Sequence, residues 1–326
     1  MKALVLDRPG IPDTLHIAEM PLPQPGTGEI RVKVHAVGLN PVDYKLAAAG
    51  SSRWSYPFIL GLDVAGVVDA VGADVTNWQV GDKVYYHGSL SQPGGYAEYA
   101  IATAIAVAPL PTDVSFAEAA AIPCAGFTAY HALHRRLHIQ ANQTVLIHAG
   151  AGGVGGFGVQ LAALAGLEVI STCSESNFEY VQQLGADHVI DYQNEDVVAR
   201  VKEITNGRGV DGILDTVGAK TATAAFEMLA FNGGVACMVE LPDFSQWKPF
   251  SIAPSIHEVA LGGAYLSGDQ IAIQDLGNIA KEMGQLVSEK KVNPMLTEVI
   301  SLEEIPEGLN RLKRRHVRGK IVAEVG

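Results

Sequence analysis

A glycine pattern in the middle of the chain constrains its fold more than any other feature. The sequence Gly150-x-Gly152-x-x-Gly155 follows the apolar run Thr144–Ile147 and precedes a segment whose apolar residues recur at helical spacing. In a strand–turn–helix unit, the first glycine permits a tight turn, the second lets the backbone approach a pyrophosphate, and the third lets helix and strand pack closely. The free N–H groups at the start of such a helix favour phosphate. The pattern therefore predicts a dinucleotide-binding unit, and the rest of the chain has to agree with it.

The rest of the chain shows two different patterns of predicted secondary structure. Residues 1 to about 120 contain short apolar runs separated by Gly and Pro, a pattern typical of a barrel or sandwich. From residue 144 onwards strands and helices alternate, which predicts βαβ units and a parallel sheet. The predicted strands of this part are 144–149, 168–173, 188–191, 210–214 and 234–239. We therefore predict an α/β protein with a doubly wound Rossmann domain at 122–262 and a β-rich domain at 1–121, completed by 263–326.

Composition and charge argue against several functions. A length of 326 residues suits about two domains, and a net charge of −12 disfavours nucleic-acid binding. The basic cluster at 311–320 is interpreted as a solvated helix end rather than a polyanion site. Three scattered cysteines suit a reducing compartment, and no apolar run is long enough for a signal peptide or a membrane span. We expect a cytoplasmic protein that binds neither nucleic acid nor membrane.

Four stretches carry a specific resemblance to a known family. They are GLNPVDYK at 38–45, PFILGLDVAGVV at 57–68, GGYAEY at 94–99 and the glycine turn with its helix at 149–162. Together they make the whole chain resemble the medium-chain dehydrogenase/reductase superfamily and, within it, the zinc-independent NADPH:quinone oxidoreductase branch. The resemblance implies a GroES-like catalytic domain, a Rossmann domain and a homodimer. The dimer is expected to join Rossmann-sheet edges, with 259–264 as the predicted edge strand.

The same resemblance bears on zinc. Zinc members of the superfamily hold a catalytic metal with a Cys, a His and another Cys or Asp, and these positions fall here on Asn40, Leu62 and Cys124. One thiolate cannot replace three protein ligands, so we predict no metal and interpret Cys124 as a small buried residue. Without a Lewis acid, simple alcohol oxidation is disfavoured. Quinones and α,β-unsaturated carbonyls remain suitable small-molecule acceptors, because conjugation places the incoming charge on an oxygen that hydrogen bonds can hold.

The resemblance also assigns the cofactor site. The expected nucleotide-binding residues are Thr128, Gly150, Gly152, Gly153, Val154, Gly155, Ser174, Asn177, Tyr192, Val217, Val239, Glu240, Leu241 and Lys320. NAD-preferring Rossmann units carry a carboxylate at the end of the second strand, whereas this strand ends Thr172-Cys173-Ser174. The small side chains leave room for a 2′-phosphate, so NADPH is expected ahead of NADH. Glu175 weighs towards NADH, and Lys320 or Arg318 is the candidate cation for the phosphate.

On the substrate side, the resemblance makes Asn40 and Tyr44 the expected catalytic residues, because the family places this segment across the cleft from the nicotinamide. Tyr44 would donate a hydrogen bond to a carbonyl or stack on a quinone. His148 is interpreted as a satisfied buried histidine rather than a general acid. Two alternatives stay open: a zinc-type alcohol dehydrogenase, which Asn40 and Leu62 disfavour, and an NADPH-binding protein without turnover.

Overall fold

The computed structural model describes residues 1–315 and 317–326, so His316 of the predicted basic cluster lies outside the described residues. Most strands are short, and the longest is a ten-residue strand near the N-terminus. The strands are β1 (Lys2–Leu6), β2 (His16–Glu19), β3 (Glu29–Gly38), β4 (Phe58–Ile59), β5 (Asp63–Val71), β6 (Lys83–His87), β7 (Tyr99–Thr103), β8 (Ala108–Pro109), β9 (Thr144–Ile147), β10 (Glu168–Cys173), β11 (His188–Asp191), β12 (Val210–Asp215), β13 (Leu229–Cys237), β14 (Ser255–Glu258), β15 (Leu296–Ser301) and β16 (Lys320–Glu324).

The helices are concentrated in the second half of the chain. They are α1 (Pro41–Ala49), α2 (Phe116–Ala120), α3 (Thr128–Tyr130), α4 (Gly153–Leu164), α5 (Phe178–Gln183), α6 (Val197–Ile204), α7 (Ala219–Met228), α8 (Gly263–Ser267), α9 (Gln270–Ser288) and α10 (Ile305–Lys313). Two π-helical segments, Pro123–Phe127 and His131–Arg136, flank α3. Single 3₁₀ turns occur at Pro12–Thr14, Ala104–Ala106, Glu175–Asn177, Phe244–Gln246 and Leu302–Glu304. No helix among the described residues combines the length and apolarity that crossing a membrane requires.

Residues 128–260 form one compact unit, here called the Rossmann unit. Its sheet has the order β11-β10-β9-β12-β13-β14, and every neighbouring pair is parallel. Apolar residues on both faces of the sheet are fully buried, as expected when helices cover both faces of a parallel sheet. They include Leu146, Ile170 and Ile213 on one face and Val145, Val169 and Leu214 on the other. The predicted strand–helix alternation is therefore confirmed. The strand order reverses at β9, and ligands bind beside the carboxyl ends of strands at such a switch point.

Residues 1–127 and 261–326 form the second compact unit, here called the β-rich unit. A small sheet has the order β2-β1-β4, and a larger sheet runs β15-β16-β3-β5-β6-β8, with β7 also paired to β3. The last strand, β16, pairs antiparallel with the end of β3, so it completes the larger sheet, whose first strand in the chain is β3. The domain boundaries proposed from the sequence, at residues 121 and 263, stay a prediction.

The predicted edge strand at 259–264 is wrong. Strand β14 ends at Glu258, and its ladder with β13 closes where the N–H of Val259 donates to the carbonyl of Cys237 at 2.8 Å. The chain then turns into helical conformation at Gly262, which precedes α8. The family resemblance suggested a strand here, but two consecutive glycines serve a turn and a helix start. Within the described residues the sheet therefore ends at β14, four residues earlier in the chain.

Candidate active site

The glycine turn of the Rossmann unit shows why its glycines are needed. A Cβ on Gly150 would lie 2.2 Å from Oγ of Ser171, and one on Gly155 would lie 2.2 Å from the carbonyl oxygen of Ala149. A Cβ on Gly152 would have one protein neighbour within 4 Å, the Ala149 oxygen at 3.3 Å. Gly150 and Gly155 are therefore needed because neighbouring protein atoms lie too close for a side chain. The space beside Gly152 is instead open to a ligand. Gly152 is the N-cap of α4, so the first N–H groups of this helix are available to a phosphate.

The other predicted nucleotide residues follow the ends of neighbouring parallel strands. Ser174 follows β10, Tyr192 follows β11, Val217 lies two residues beyond β12, and Val239, Glu240 and Leu241 follow β13. Because these strands are parallel and adjacent, the structure brings all of these residues to the same edge of the sheet as the glycine turn. Tyr192, Val217, Val239 and Leu241 are exposed there. An edge with exposed apolar side chains and free helix N–H groups can hold both the rings and the phosphates of a dinucleotide.

Three of the predicted residues also have structural partners. The Nδ2 of Asn177 donates to Oγ of Ser174 at 2.9 Å, so the tip of β10 is a connected pair of small polar groups. Oε2 of Glu240 accepts a hydrogen bond from the N–H of Ala219 at 2.9 Å, so this carboxylate helps to cap α7. Thr128 is buried on α3. Ser174 and Asn177 therefore stabilise their own loop, and Glu240 stabilises the start of α7.

His148 is less fully satisfied than the sequence suggested. It is 3% exposed, and its Nδ1 lies 3.3 Å from Oγ1 of Thr172, but its Nε2 has no hydrogen-bond partner among the described residues. Burial lowers the pKa of His148, and the nearby carboxylate of Asp215 opposes this shift. A neutral imidazole therefore lies at the end of β9. The interpretation as a buried histidine is confirmed, whereas the expectation that it is satisfied holds for one nitrogen only.

A buried polar cluster occupies the β-rich unit, where several strands begin or end. We call Asn40, Asp63, His87, Cys124 and Lys320 the polar cluster. Four of these residues are buried, whereas Cys124, interpreted from the sequence as a small buried residue, is only half-buried. Asp63, the first residue of β5, lies opposite His87 at the end of β6 and opposite Gly38 at the end of β3. A Cβ on Gly38 would lie 3.0 Å from Cβ of Asp63 and 2.2 Å from a backbone oxygen of α2, so only glycine fits beside this aspartate.

Hydrogen bonds fix the orientation of the Asp63 carboxylate and of the Asn40 amide. Its Oδ1 accepts from the backbone N–H of Cys124 and its Oδ2 from Nδ2 of Asn40, both at 2.8 Å. Nζ of Lys320 lies 3.6 Å from the same Oδ2, and it donates to Oδ1 of Asn40 and to the carbonyl of Leu39. The amide of Asn40 thus bridges a cation and an anion, and its donor and acceptor ends are not interchangeable. Asp63 is fully buried, and Asn40 and Lys320 are 2% and 3% exposed.

Next to the cluster, the helix α1 begins at a second buried carboxyl. Oδ2 of Asp43 accepts from the N–H of Asn40 at 2.8 Å, so Asp43 stabilises the turn that begins α1. Burial raises the pKa of Asp43 to about 7, with the negative charge of Asp63 adding to the shift. Tyr44, the expected substrate contact, is half-buried on the same helix. Near neutral pH, Asp43 therefore carries a proton in a large fraction of molecules.

The residues at the positions where zinc members of the family hold their metal, Asn40, Leu62 and Cys124, do not fit a metal ion. Leu62 offers no ligand atom, and both ends of the Asn40 amide already have partners. A different trio, Asp63, His87 and Cys124, places one ligand atom of each residue within 4.8 Å of the others. However, both oxygens of Asp63 accept hydrogen bonds, and an ammonium group lies beside one of them. With Lys320 in this position, the trio does not fit a divalent cation either.

Sequence reasoning missed the roles of Asp63 and His87. Each is a polar residue at one end of a strand, next to buried apolar residues, and each is almost completely buried. A buried polar residue in an apolar run was the available signal, but the pairing of the two strands was needed to bring them together. Lys320, predicted to serve the cofactor, begins β16 in the β-rich unit, where its ammonium is engaged by Leu39 and Asn40. Its contact with the nucleotide stays a prediction.

Comparisons with known proteins agree with this architecture. Residues 26–112 match the family model of the alcohol dehydrogenase GroES-like domain, and residues 184–322 match that of a zinc-binding dehydrogenase. The chain is 31% identical over 314 residues to the chloroplastic quinone oxidoreductase QR1 of Triphysaria versicolor, covering 94% of this chain and 92% of the relative.

Two solved structures share the whole fold. An alcohol dehydrogenase superfamily protein from Novosphingobium aromaticivorans has a TM-score of 0.89 at 30% identity, with 100% of both chains covered. The quinone oxidoreductase from Coxiella burnetii has a TM-score of 0.84 at 29% identity, covering 100% of this chain and 99% of that one.

Proposed function

Because the chain belongs to the quinone-oxidoreductase-like branch of the medium-chain dehydrogenase/reductase superfamily, we propose that it is a zinc-independent oxidoreductase that reduces a quinone or an α,β-unsaturated carbonyl with NADPH. The observation that carries this proposal is the composition of the polar cluster. At the positions where zinc members hold their metal, the cluster has the engaged amide of Asn40 with an ammonium beside it, and the neighbouring Leu62 offers no ligand atom. An acceptor reduced without a Lewis acid has to be electrophilic already, which favours conjugated carbonyls over simple ketones.

The Rossmann unit would bind the cofactor, which supplies the hydride when bound. The first N–H groups of α4 and the open side of Gly152 would hold the pyrophosphate. Ser174 and Asn177 would contact the adenosine ribose, and the exposed side chains after β11, β12 and β13 would pack against the rings. The small polar tip of β10 favours NADPH, because an aspartate or glutamate that would repel a 2′-phosphate is missing from the strand end itself. Glu175, one residue further, is the specific observation in favour of NADH.

On the substrate side we propose distinct roles for the two expected residues. The phenol of Tyr44 would donate a hydrogen bond to the acceptor oxygen, since the side chain is half-buried on α1. Asn40 would act as a positioning residue, because it is 2% exposed and its amide links Lys320 to Asp63. A homodimer joined through Rossmann-sheet edges remains part of the proposal, with β14 in place of the predicted strand at 259–264.

The deciding experiment is a turnover assay with chelator-treated protein. NADPH oxidation would be followed with phenanthrenequinone and with an enone panel, while NADH and simple ketones are run in parallel. Turnover that survives the chelator and prefers NADPH supports the proposal. Turnover that is lost on chelation and restored by Zn²⁺ would support a zinc-type alcohol dehydrogenase instead. Tight NADPH binding without reduction of any acceptor would indicate a binding protein without turnover.

The role of Tyr44 can be tested with a matched tyrosine in the same unit. Tyr44→Phe removes one hydroxyl and is expected to lower kcat/KM by about tenfold, the equivalent of one hydrogen bond of roughly 1.4 kcal/mol. Tyr99→Phe changes another half-buried tyrosine, on β7, and is expected to leave kcat/KM unchanged. Equal activities of Tyr44→Phe and the parent protein would remove Tyr44 from the mechanism, without affecting the chelator result.

A further inference from the structure

We propose that the ammonium of Lys320 is the resident cation of the polar cluster, and that it excludes divalent metal ions from a latent site formed by Asp63, His87 and Cys124. The proposal concerns the cation rather than the acceptor or the nucleotide. It extends the zinc independence proposed above by naming the group that takes the place of a metal. The latent site shares only Cys124 with the three positions at which zinc members of the family hold their metal. Its other two ligands are Asp63 and His87, whereas the family positions correspond to Asn40 and Leu62.

The three candidate ligands are held together by the fold itself. Asp63 and His87 are register partners on neighbouring antiparallel strands, and Cys124 is fixed to Asp63 by its backbone N–H. Metal–ligand bonds of about 2.0–2.3 Å separate two tetrahedral ligands by roughly 3.3–3.8 Å. The ligand atoms of the trio already lie within 4.8 Å of one another, so small side-chain rotations suffice. A carboxylate, an imidazole and a thiolate are a donor set that suits Zn²⁺ and Co²⁺.

One polar atom of the cluster, a ring nitrogen of His87, is available to bind a metal. Nδ1 of His87 is buried and has no hydrogen-bond partner among the described residues. Burial lowers the pKa of His87, which favours the neutral imidazole that metals bind. An unpaired nitrogen on a residue that is 2% exposed is costly unless a ligand or a cation can use it. The three residues therefore offer donor atoms that can bind a metal, although the fold holds them in place without one.

The charges explain why the ammonium and a metal would compete. Asp63 is fully buried, and a buried carboxylate needs a positive partner. Lys320 supplies it at 3.6 Å from Oδ2, and Asn40 connects the two groups. A divalent ion bonded to Asp63 would lie close to the same ammonium in a region of low dielectric, where the two cations repel each other strongly. Replacing Lys320 by a neutral side chain of similar length removes this repulsion and leaves the carboxylate without a cation.

The test is a Co²⁺ titration of the chelator-treated full chain, of Lys320→Met and of Lys320→Arg. Binding is measured by equilibrium dialysis, and cysteine ligation by the thiolate-to-Co²⁺ charge-transfer absorption. We expect Lys320→Met to bind one Co²⁺ per chain, with a Kd at least about tenfold lower than that of the parent protein. Lys320→Arg keeps the positive charge and is expected to bind no more tightly than the parent. The charge-transfer band is expected to vanish in Lys320→Met combined with Cys124→Ala.

Each other outcome would overturn the proposal. Stoichiometric Co²⁺ binding by the parent protein would show that the ammonium does not exclude metal. A well-folded Lys320→Met without a bound ion, or one whose band persists without Cys124, would show that the trio is not a ligand set. Lys320→Met that is recovered only when Co²⁺ is present would support the proposal, and a variant insoluble in both conditions would contradict it. Quinone turnover of the chelator-treated parent is measured separately, so failure here and failure of the proposed function remain distinguishable.

Discussion

The glycine turn of the Rossmann unit and the polar cluster of the β-rich unit are built in opposite ways. The turn uses backbone N–H groups from a short continuous segment. Its glycines contribute mainly by leaving room for close packing and for a ligand. The cluster uses side chains from the ends of β3, β5, β6 and β16 and from the helical segment around Cys124. The first site depends on local conformation, whereas the second depends on strand register and on charge balance inside a core.

This difference predicts different responses to substitution. A change in the turn should mainly affect ligand binding where the space is open, and folding where the space is filled. A change in the cluster should affect stability first, because it leaves a buried partner without its counter-charge. The experiments below either sharpen or break this contrast, beginning with the largest expected effect.

Removing one charge of the cluster should have the largest effect. Lys320→Met leaves Asp63 without a cation. We expect its free energy of unfolding to be about 3–5 kcal/mol lower than that of the parent protein. Asp63→Asn should be destabilising for the converse reason. The double variant should lose less than the sum of the two single losses, by roughly 0.5–3 kcal/mol, because it buries neither charge alone. Urea unfolding of the four proteins in the presence of chelator measures this coupling, and strict additivity would show that the two groups do not interact.

The second carboxyl, Asp43, should make stability depend on pH. Its pKa is raised from 3.8 to about 7 in the folded protein, so between these values the native state holds a proton that the unfolded state has lost. Its contribution is therefore present at low pH and lost as the pH rises towards 7, on the order of 4 kcal/mol in total. Asp63, Tyr96 and Lys320 are the other ionisable groups that act on it.

Asp43→Asn isolates this contribution, because it mimics the protonated acid and can still accept the N–H of Asn40. We expect the variant to match the parent protein near pH 3, below both pKa values, and to be more stable than the parent by about 1–2 kcal/mol at pH 5 and by about 4 kcal/mol at pH 8. Thermal unfolding at several pH values measures the difference. A stability difference that does not change between pH 5 and pH 8 would show that Asp43 titrates normally.

The two sites also differ in how far the sequence could predict them. The Rossmann sheet and the turn were predicted correctly, because glycine spacing and strand–helix alternation are local signals. The strand ends carrying Ser174, Tyr192 and Val217 followed from the same alternation. The cluster was not predicted, because nothing local pairs Asp63 with His87, or Lys320 with a residue 280 positions away. The wrong edge strand at 259–264, which the family resemblance suggested, has the same cause, since the resemblance does not supply a sheet partner for that segment.

Within the turn, Gly155 is expected to affect folding as well as binding. A methyl group there would lie 2.2 Å from the carbonyl oxygen of Ala149, so the start of α4 would have to move. We expect Gly155→Ala to lower the free energy of unfolding by about 1–3 kcal/mol and to weaken dinucleotide binding. Thermal unfolding without nucleotide measures the first effect. Gly212→Ala, at a glycine without a positive φ where the added methyl group would meet side-chain carbons no closer than 3.5 Å, is the control for an added methyl group without a clash.

Gly152→Ala should separate binding from folding, with the smallest effect on stability. Its added methyl group has one protein neighbour within 4 Å, at 3.3 Å, and Gly152 has a φ of −83° that alanine adopts freely. The unfolding midpoint without nucleotide should therefore stay close to that of the parent protein. The methyl group would instead occupy the space where a pyrophosphate approaches, and we expect the Kd for NADPH to rise by at least about tenfold, or 1.4 kcal/mol. Unchanged affinity, measured by fluorescence titration, would mean that the ligand does not approach this glycine and that the turn serves packing alone.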